Sequence, residues 1–273
     1  MSLKYYCAFA VAALNLSSVV SAETIGITML YTQPAAQHTG DISVKIDSLI
    51  SEANRIYENN DVDIQLELVD SRQFSDLNMT VTGESLAEVA GVNAYIESEA
   101  GIPTWDKFLA WGGWSEEKER ESKGADMVAL LGMGEPAFEN GERVGTYCGI
   151  AYLGEGANGV MDQMSKRRAY SVTAVDCSGG ALTFVHELGH NMGLSHSPRQ
   201  PGQPGVYSYG WGHGVDDNFS TIMAYPHYYG DAIRLDMFSN PGKLCNSLAC
   251  GVENVSDSHR AIVPIIDDMA GYY

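Results

Sequence analysis

The chain is 273 residues long, enough for one large domain or two small ones with a proper core. It carries 35 acidic side chains against 16 Lys and Arg, a formal charge of −19. That balance repels phosphate backbones and anionic bilayers, so nucleic acid and the membrane surface are excluded as partners.

The N-terminus reads as a secretory signal peptide, residues 1–22. Lys4 precedes an apolar run from Tyr6 to Leu16, and Val20-Ser21-Ala22 supplies small residues for cleavage after Ala22. The run is too short to span a bilayer, and Asn15, Ser17 and Ser18 interrupt it, so membrane insertion is not expected. Cleavage removes Lys4 and Cys7, which moves the charge from −19 to −20 and leaves residues 23–273 as the mature domain. The mature protein is expected to be a secreted monomer, extracellular or periplasmic. The first strand begins directly after Ala22, so no long latency segment with a cysteine switch is expected.

Along the mature chain, TIGITMLY (24–31) reads as a strand. Ile42, Ile46, Leu49, Ile50, Ala53, Ile56 and Tyr57 then recur at helical spacing, with Asp41 as the N-cap. DVDIQLELV alternates as a half-buried strand, and a helix is expected around Ser85 to Ala100. ADMVALLGMG (125–134), GTYCGIAYLG (145–154) and YSVTAVDC are three further strand candidates. SGGALTFVHELGHNMGL turns helical, with Leu182, Val185, Leu188 and Met192 along one side. Beyond Gly193 the chain is rich in Gly, Pro, Ser, Tyr and Asn, and only residues 256–270 look helical again, kinked or started late by Pro264. One α/β domain with a loop-rich C-terminal part is the economical architecture.

Four cysteines remain in an oxidising compartment, so two disulfides are expected. Cys245 and Cys250 are near enough to close a small loop, which leaves Cys148 to pair with Cys177. A metal site is the rival, but the spacing is not C-x-x-C.

Three of the seven histidines fall within VHELGHNMGLSH, residues 185–196. His186 and His190 are four apart on a helix, so they share a face and can hold one metal ion together. Glu187, turned about 100° around the axis, can reach a water on that ion. Gly193 can take a left-handed conformation, end the helix and bring His196 round as a third ligand. Three neutral imidazoles leave the fourth position of a zinc ion open to water, the catalytic arrangement. Met223, in STIMAY (220–225), fits the tight turn beneath such a metal. Taken alone, it is one more core methionine.

The motif HExxHxxGxxH with its downstream Met resembles the metzincin zinc endopeptidases. The likeness is strongest to the bacterial reprolysin-like and peptidyl-Asp metalloendopeptidase group. TIGITMLYTQPAA, EANRIYENN, GADMVALL and FSNPG (238–242) resemble that group as well, so most of the mature chain is covered. The resemblance implies an α/β (α+β) metzincin-like fold, a mixed five-stranded sheet over a cleft with one catalytic Zn2+ on its floor. It also implies that GTYCGIAYLG, as the lower-edge strand, binds substrate as an added strand, the alternative being an ordinary interior strand. Ser197 after the third histidine departs from the Asp usual in adamalysins and reprolysins and is as in matrixins. Tyr225, two residues past Met223, is similar to the tyrosine that approaches zinc in astacins and serralysins. That likeness implies a phenol that stabilises the oxyanion. A packed tyrosine is the alternative.

The expected function is hydrolysis of peptide bonds in protein or peptide substrates by a zinc-bound water, with Glu187 as general base. Two alternatives stand beside it: an amide hydrolase acting on cell-wall peptides, and a non-catalytic binding or adhesion protein on a protease scaffold. The intact glutamate and ligands speak against the second. Weaker signals are Trp105, Trp111 and Trp114, more often a packed flank than a docking surface, and single histidines His38, His213, His227 and His259. His227 is a candidate lining of the specificity pocket. Ca2+ binding by GVDDN (214–218) is not supported beyond the acidity of the loop. Cleavage beside acidic residues, implied by the peptidyl-Asp likeness, needs a basic group, for which Arg199 and Arg234 are candidates.

Overall fold

A computed structural model describes residues 22–75, 77–90 and 113–273. The signal-peptide reading lies outside the described residues apart from Ala22, and so do the second half of the expected 85–100 helix and the tryptophan cluster's side chains.

β1 (Glu23–Thr32) leads through the short helix α1 (Gln33–Thr39) to α2 (Ile42–Asn59). Asp41 caps α2 by accepting from the amides of Ser43 at 3.0 Å and Val44 at 3.3 Å. The face predicted from spacing, from Ile46 to Tyr57, is the face buried. β2 (Ile64–Ser75) follows, then α3 (Gly83–Val89), α4 (Gly113–Lys123) and β3 (Met127–Gly132). Next come β4 (Glu135–Glu139), β5 (Glu142–Tyr147) and β6 (Gly149–Ala151), then the small hairpin β7 (Gly156–Ala157) and β8 (Val160–Met161). α5 (Gln163–Arg167) and β9 (Tyr170–Ala174) precede α6 (Gly180–Asn191), which carries His186, Glu187 and His190.

The main sheet has five strands in the order β2-β1-β3-β9-β6. β2, β1, β3 and β9 run parallel, and β6 pairs antiparallel with β9 at the edge. A sheet covered on both faces needs strands that are apolar throughout, and β3 and β9 are buried at every residue. One face packs α2 and α6 in the main core, with Ile25, Ile27, Met29, Tyr57, Phe184 and Leu188 fully buried. The other packs Leu86 and Val89 of α3 against Leu30, Leu130 and Val172.

Two elements differ from the sequence reading. The strand expected over 145–154 is split: residues through Tyr147 pair with β4 in a hairpin, and only Gly149–Ala151 joins the sheet. The hairpin turns at Asn140 and Gly141, whose φ of 51° and 85° fit the Asn-Gly preference for a left-handed two-residue turn. β2 runs on past Val69 into polar residues, because an edge strand needs partners on one side only. The C-terminal helix is interrupted at Pro264 as expected, into Ser258–Ile262, a 3-10 turn Val263–Ile265 and Ile266–Met269, since proline cannot donate to the ladder. Disulfides join Cys148 to Cys177 and Cys245 to Cys250. Among the described residues no helix is long and apolar enough to cross a membrane.

Candidate active site

The site is built on the last two turns of α6. Its register places His186 and Glu187 in the interior, 2% and 3% exposed, with Leu188, Phe184 and Val185 anchoring the same helix in the core. After Asn191 the chain reverses at Gly193, whose φ is +80°. The Gly193 amide donates to His190 O at 2.9 Å and the Leu194 amide to Gly189 O at 2.9 Å, the paired bonds of a Schellman ending. This reversal returns His196 to the helix face, and it also turns the Leu194 carbonyl toward His190, whose Nδ1 lies 2.8 Å from it.

The three histidines meet with their ligand atoms all within 4.8 Å of one another, and among the described residues no other cluster of three or more His, Cys, Asp or Glu has that geometry. Each helical imidazole is oriented from behind: His186 Nδ1 lies 2.8 Å from Ile222 O, as His190 Nδ1 does from Leu194 O. With Nδ1 as the donor, Nε2 of each ring presents a lone pair forward. His190 Nε2 and His196 Nε2 lie 3.1 Å apart, and His186 Nε2 is buried with no hydrogen-bond partner. Burial holds His190 and His196 down to about 4 and His186 well below the usual range, so all three are neutral at pH 7. Converging, neutral imidazole nitrogens are what a divalent metal requires, and zinc fits this donor set.

Glu187 points into the same space. Its Oε2 is buried without a partner, and burial pushes its pKa up to about 8, against the pull of Arg234. Gly149 of β6 lies directly against it: a Cβ built there would fall 2.1 Å from Glu187 Oε1. The edge strand thus passes over the carboxyl, and Asn191 binds strand to helix by donating to the carbonyls of Tyr152 at 2.9 Å and Tyr170 at 3.1 Å.

Below the histidines, Thr221–Ala224 forms a tight turn closed by the Ala224 amide on Thr221 O at 3.0 Å, with Met223 fully buried. A Cβ on Gly189 would approach Met223 Sδ to 2.6 Å, so the methionine packs flush beneath α6. Tyr225 follows, its ring 4.5 Å from that of His196 and 5.5 Å from that of His186. Burial, with the Glu187 charge beside it, pushes its phenol up to about 12. Ser197 is fully buried and donates to Gln200 Oε1 at 3.0 Å, and the same oxygen accepts from the Tyr225 amide at 3.2 Å.

The remaining candidates separate. His227 is exposed on the rim, its ring tilted against those of Tyr225 and Tyr228. Arg199 is exposed, paired with Asp216 and packed over Tyr229, so the GVDDN loop is a hairpin turn whose Asp216 is already neutralised. Arg234 enters the site: its Nε and Nη2 donate to Ile222 O, and Nη2 lies 3.0 Å from His186 Nδ1. The sequence alone did not show Asn191, Gln200 or Gly149 as part of the site, because their roles arise only where β6, α6 and the 221–225 turn converge.

Comparison with known proteins agrees with this geometry. Residues 44–197 match metallopeptidase family M12B, reprolysin-like. A peptidyl-Asp metalloendopeptidase of Pseudomonas aeruginosa is 32% identical over 291 aligned positions, covering 100% of this chain and 44% of that protein. One of the same name from Xanthomonas campestris is 24% identical over 92% of this chain and 52% of its own length. The chain therefore spans about half the length of the curated relatives it matches. A solved chain described under the structure of a chaperone–substrate complex superposes with a TM-score of 0.62 at 15% identity, over 92% of this chain and 36% of that one, a likeness of fold alone. The chain belongs to the reprolysin-like metallopeptidases of family M12B.

Proposed function

We propose that the chain is a secreted zinc endopeptidase in which His186, His190 and His196 hold the ion and Glu187 is the general base. The observation that carries the reading is the convergence of three neutral imidazoles on one point with the unpartnered Glu187 carboxyl beside it. When bound, zinc lowers the pKa of a water and polarises the scissile carbonyl. Glu187 takes the proton of the attacking water and delivers it to the leaving amine. Tyr225 keeps its phenolic proton at any working pH and can donate it to the oxyanion. The outer edge of β6 offers main-chain groups to an extended peptide, and Gly149 lets β6 itself lie against Glu187.

The relatives' names support cleavage beside aspartate. The two disulfides support an oxidising compartment and, with it, a signal peptide over residues 1–22 ahead of a catalytic domain over 23–273.

The test is cleavage of a proteome-derived peptide library by residues 23–273 and by the Glu187→Ala variant. The variant is expected to keep zinc and to lose activity by orders of magnitude. Equal activity in both would remove Glu187 from the chemistry, and no cleavage by zinc-loaded wild type would move the reading to cell-wall peptides or a binding role.

A further inference from the structure

Arg234 is a cation that the chain leaves without a counter-ion. Exposed Arg55 and Arg199 and half-buried Arg72 and Lys243 each pair with a carboxylate. Arg234 forms no ion pair among the described residues, in a protein with 35 acidic side chains to draw on. Its Nε donates to Ile222 O at 3.2 Å, and its Nη2 reaches Ile222 O at 2.5 Å and Leu182 O at 3.4 Å. These carbonyls anchor one side of the guanidinium between α6 and the Met223 turn. Nη1, with its two N–H groups, has no partner among the described residues, and the side chain is neither fully buried nor open.

An anchored guanidinium with one free edge, next to a metal ligand, is an unfavourable arrangement when nothing negative completes it. The guanidinium is held partly buried against His186, and among the described residues neither Glu187 nor Tyr225 makes a hydrogen bond or ion pair with it. A guanidinium stays charged under such pressure and binds carboxylates through paired, charge-assisted hydrogen bonds. Arg234 lies against His186, so a peptide held at the three histidines can bring a carboxylate of its own to that edge.

We propose that Arg234 determines specificity, receiving the carboxylate of an acidic substrate side chain immediately flanking the scissile bond. The inference rests on the endopeptidase reading above and adds which residue of this chain selects the substrate. Arg199, paired with Asp216 at the surface, has no part in it.

The experiment compares zinc-loaded wild type, Arg234→Gln, Arg234→Lys and Arg199→Gln. The substrates are peptides identical except for Asp, Asn or Glu at each of the two positions flanking the cut. Wild type is expected to prefer Asp over the isosteric Asn by about tenfold or more in kcat/KM, the range of a hydrogen bond to a charged group. Arg234→Gln should bring the Asp/Asn ratio in kcat/KM to about one. Arg199→Gln should change neither ratio. If Arg234→Gln does not fold, Arg234→Lys decides. Its shorter, single-point cation should shift the preference from Asp toward the longer Glu, and an unchanged Glu/Asp ratio overturns the assignment. Equal loss on Asp and Asn in Arg234→Gln would make Arg234 a support for the Ile222 turn and overturn it too. Wild type that cuts without preference overturns this assignment alone, whereas wild type that cuts no peptide overturns the endopeptidase reading beneath it.

Discussion

Two kinds of titratable group share the same dry pocket and are pushed in opposite directions by it. Burial drives imidazoles toward the neutral base, so His190 and His196 fall to about 4, while it drives the Glu187 carboxyl toward the neutral acid, up to about 8. Both shifts suit a metal site and burden the metal-free fold. A carboxyl whose folded pKa lies above 4.5 contributes its full stability below that value and loses it as pH rises through about 8. The histidines behave conversely: their stability is full above 6.5 and is lost as pH falls toward about 4. Metal-free Glu187→Gln protein should therefore melt several degrees higher than metal-free wild type at pH 8 and show a much smaller gain at pH 5. Calorimetric scans at the two pH values check this. A gain independent of pH would mean that the ionisation of Glu187 is not what strains the site.

At the scale of elements, the contact between β6 and α6 decides whether the carboxyl can work. A methyl at position 149 would fall 2.1 Å from Glu187 Oε1 and 2.5 Å from its Cδ, so Gly149→Ala must displace the carboxyl rather than the backbone of α6. The expected result is a loss of about tenfold or more in kcat/KM with zinc retained and the melting temperature little changed, a loss of about 1.4 kcal/mol in the transition state. Full activity in Gly149→Ala would mean that Glu187 works from another rotamer. The elements themselves differ in how far the sequence reveals them. α2 and α6 are legible because a capping Asp41, a positive-φ Gly193 and an apolar face at helical spacing all agree. The β4–β5 hairpin is not, since its strands expose Phe138, Val144 and Tyr147 and carry no alternation, although Asn140-Gly141 was a usable signal. The choice between Arg199 and Arg234 lay beyond reach for a different reason: Arg234 sits on a two-residue strand in the loop-rich part, and only tertiary folding brings it to His186.

For the molecule as a whole, the two disulfides close loops of different size in different places. Cys148–Cys177 spans 29 residues, running from the start of β6 through β9 to the approach of α6, so it ties the edge strand to the segment that leads into the catalytic helix. Cys245–Cys250 spans 5 residues within a hairpin of the C-terminal part, against Phe219. In the chain-entropy picture a 29-residue loop is worth about 3–4 kcal/mol and a 5-residue loop about 2 kcal/mol. The stability difference is modest, but the functional difference should be large. Replacing Cys148 and Cys177 with serine frees β6 to shift relative to Glu187, and an unpinned strand no longer presents its outer edge at a fixed height above the metal. That double variant should lose both melting temperature and kcat/KM, with KM rising as the edge strand loosens. Replacing Cys245 and Cys250 should lower the melting temperature alone. Melting curves and steady-state kinetics on the two double variants separate the cases. Equal kinetics in both would show that the sheet, through the antiparallel pairing of β6 with β9, holds the edge in place without the covalent tie.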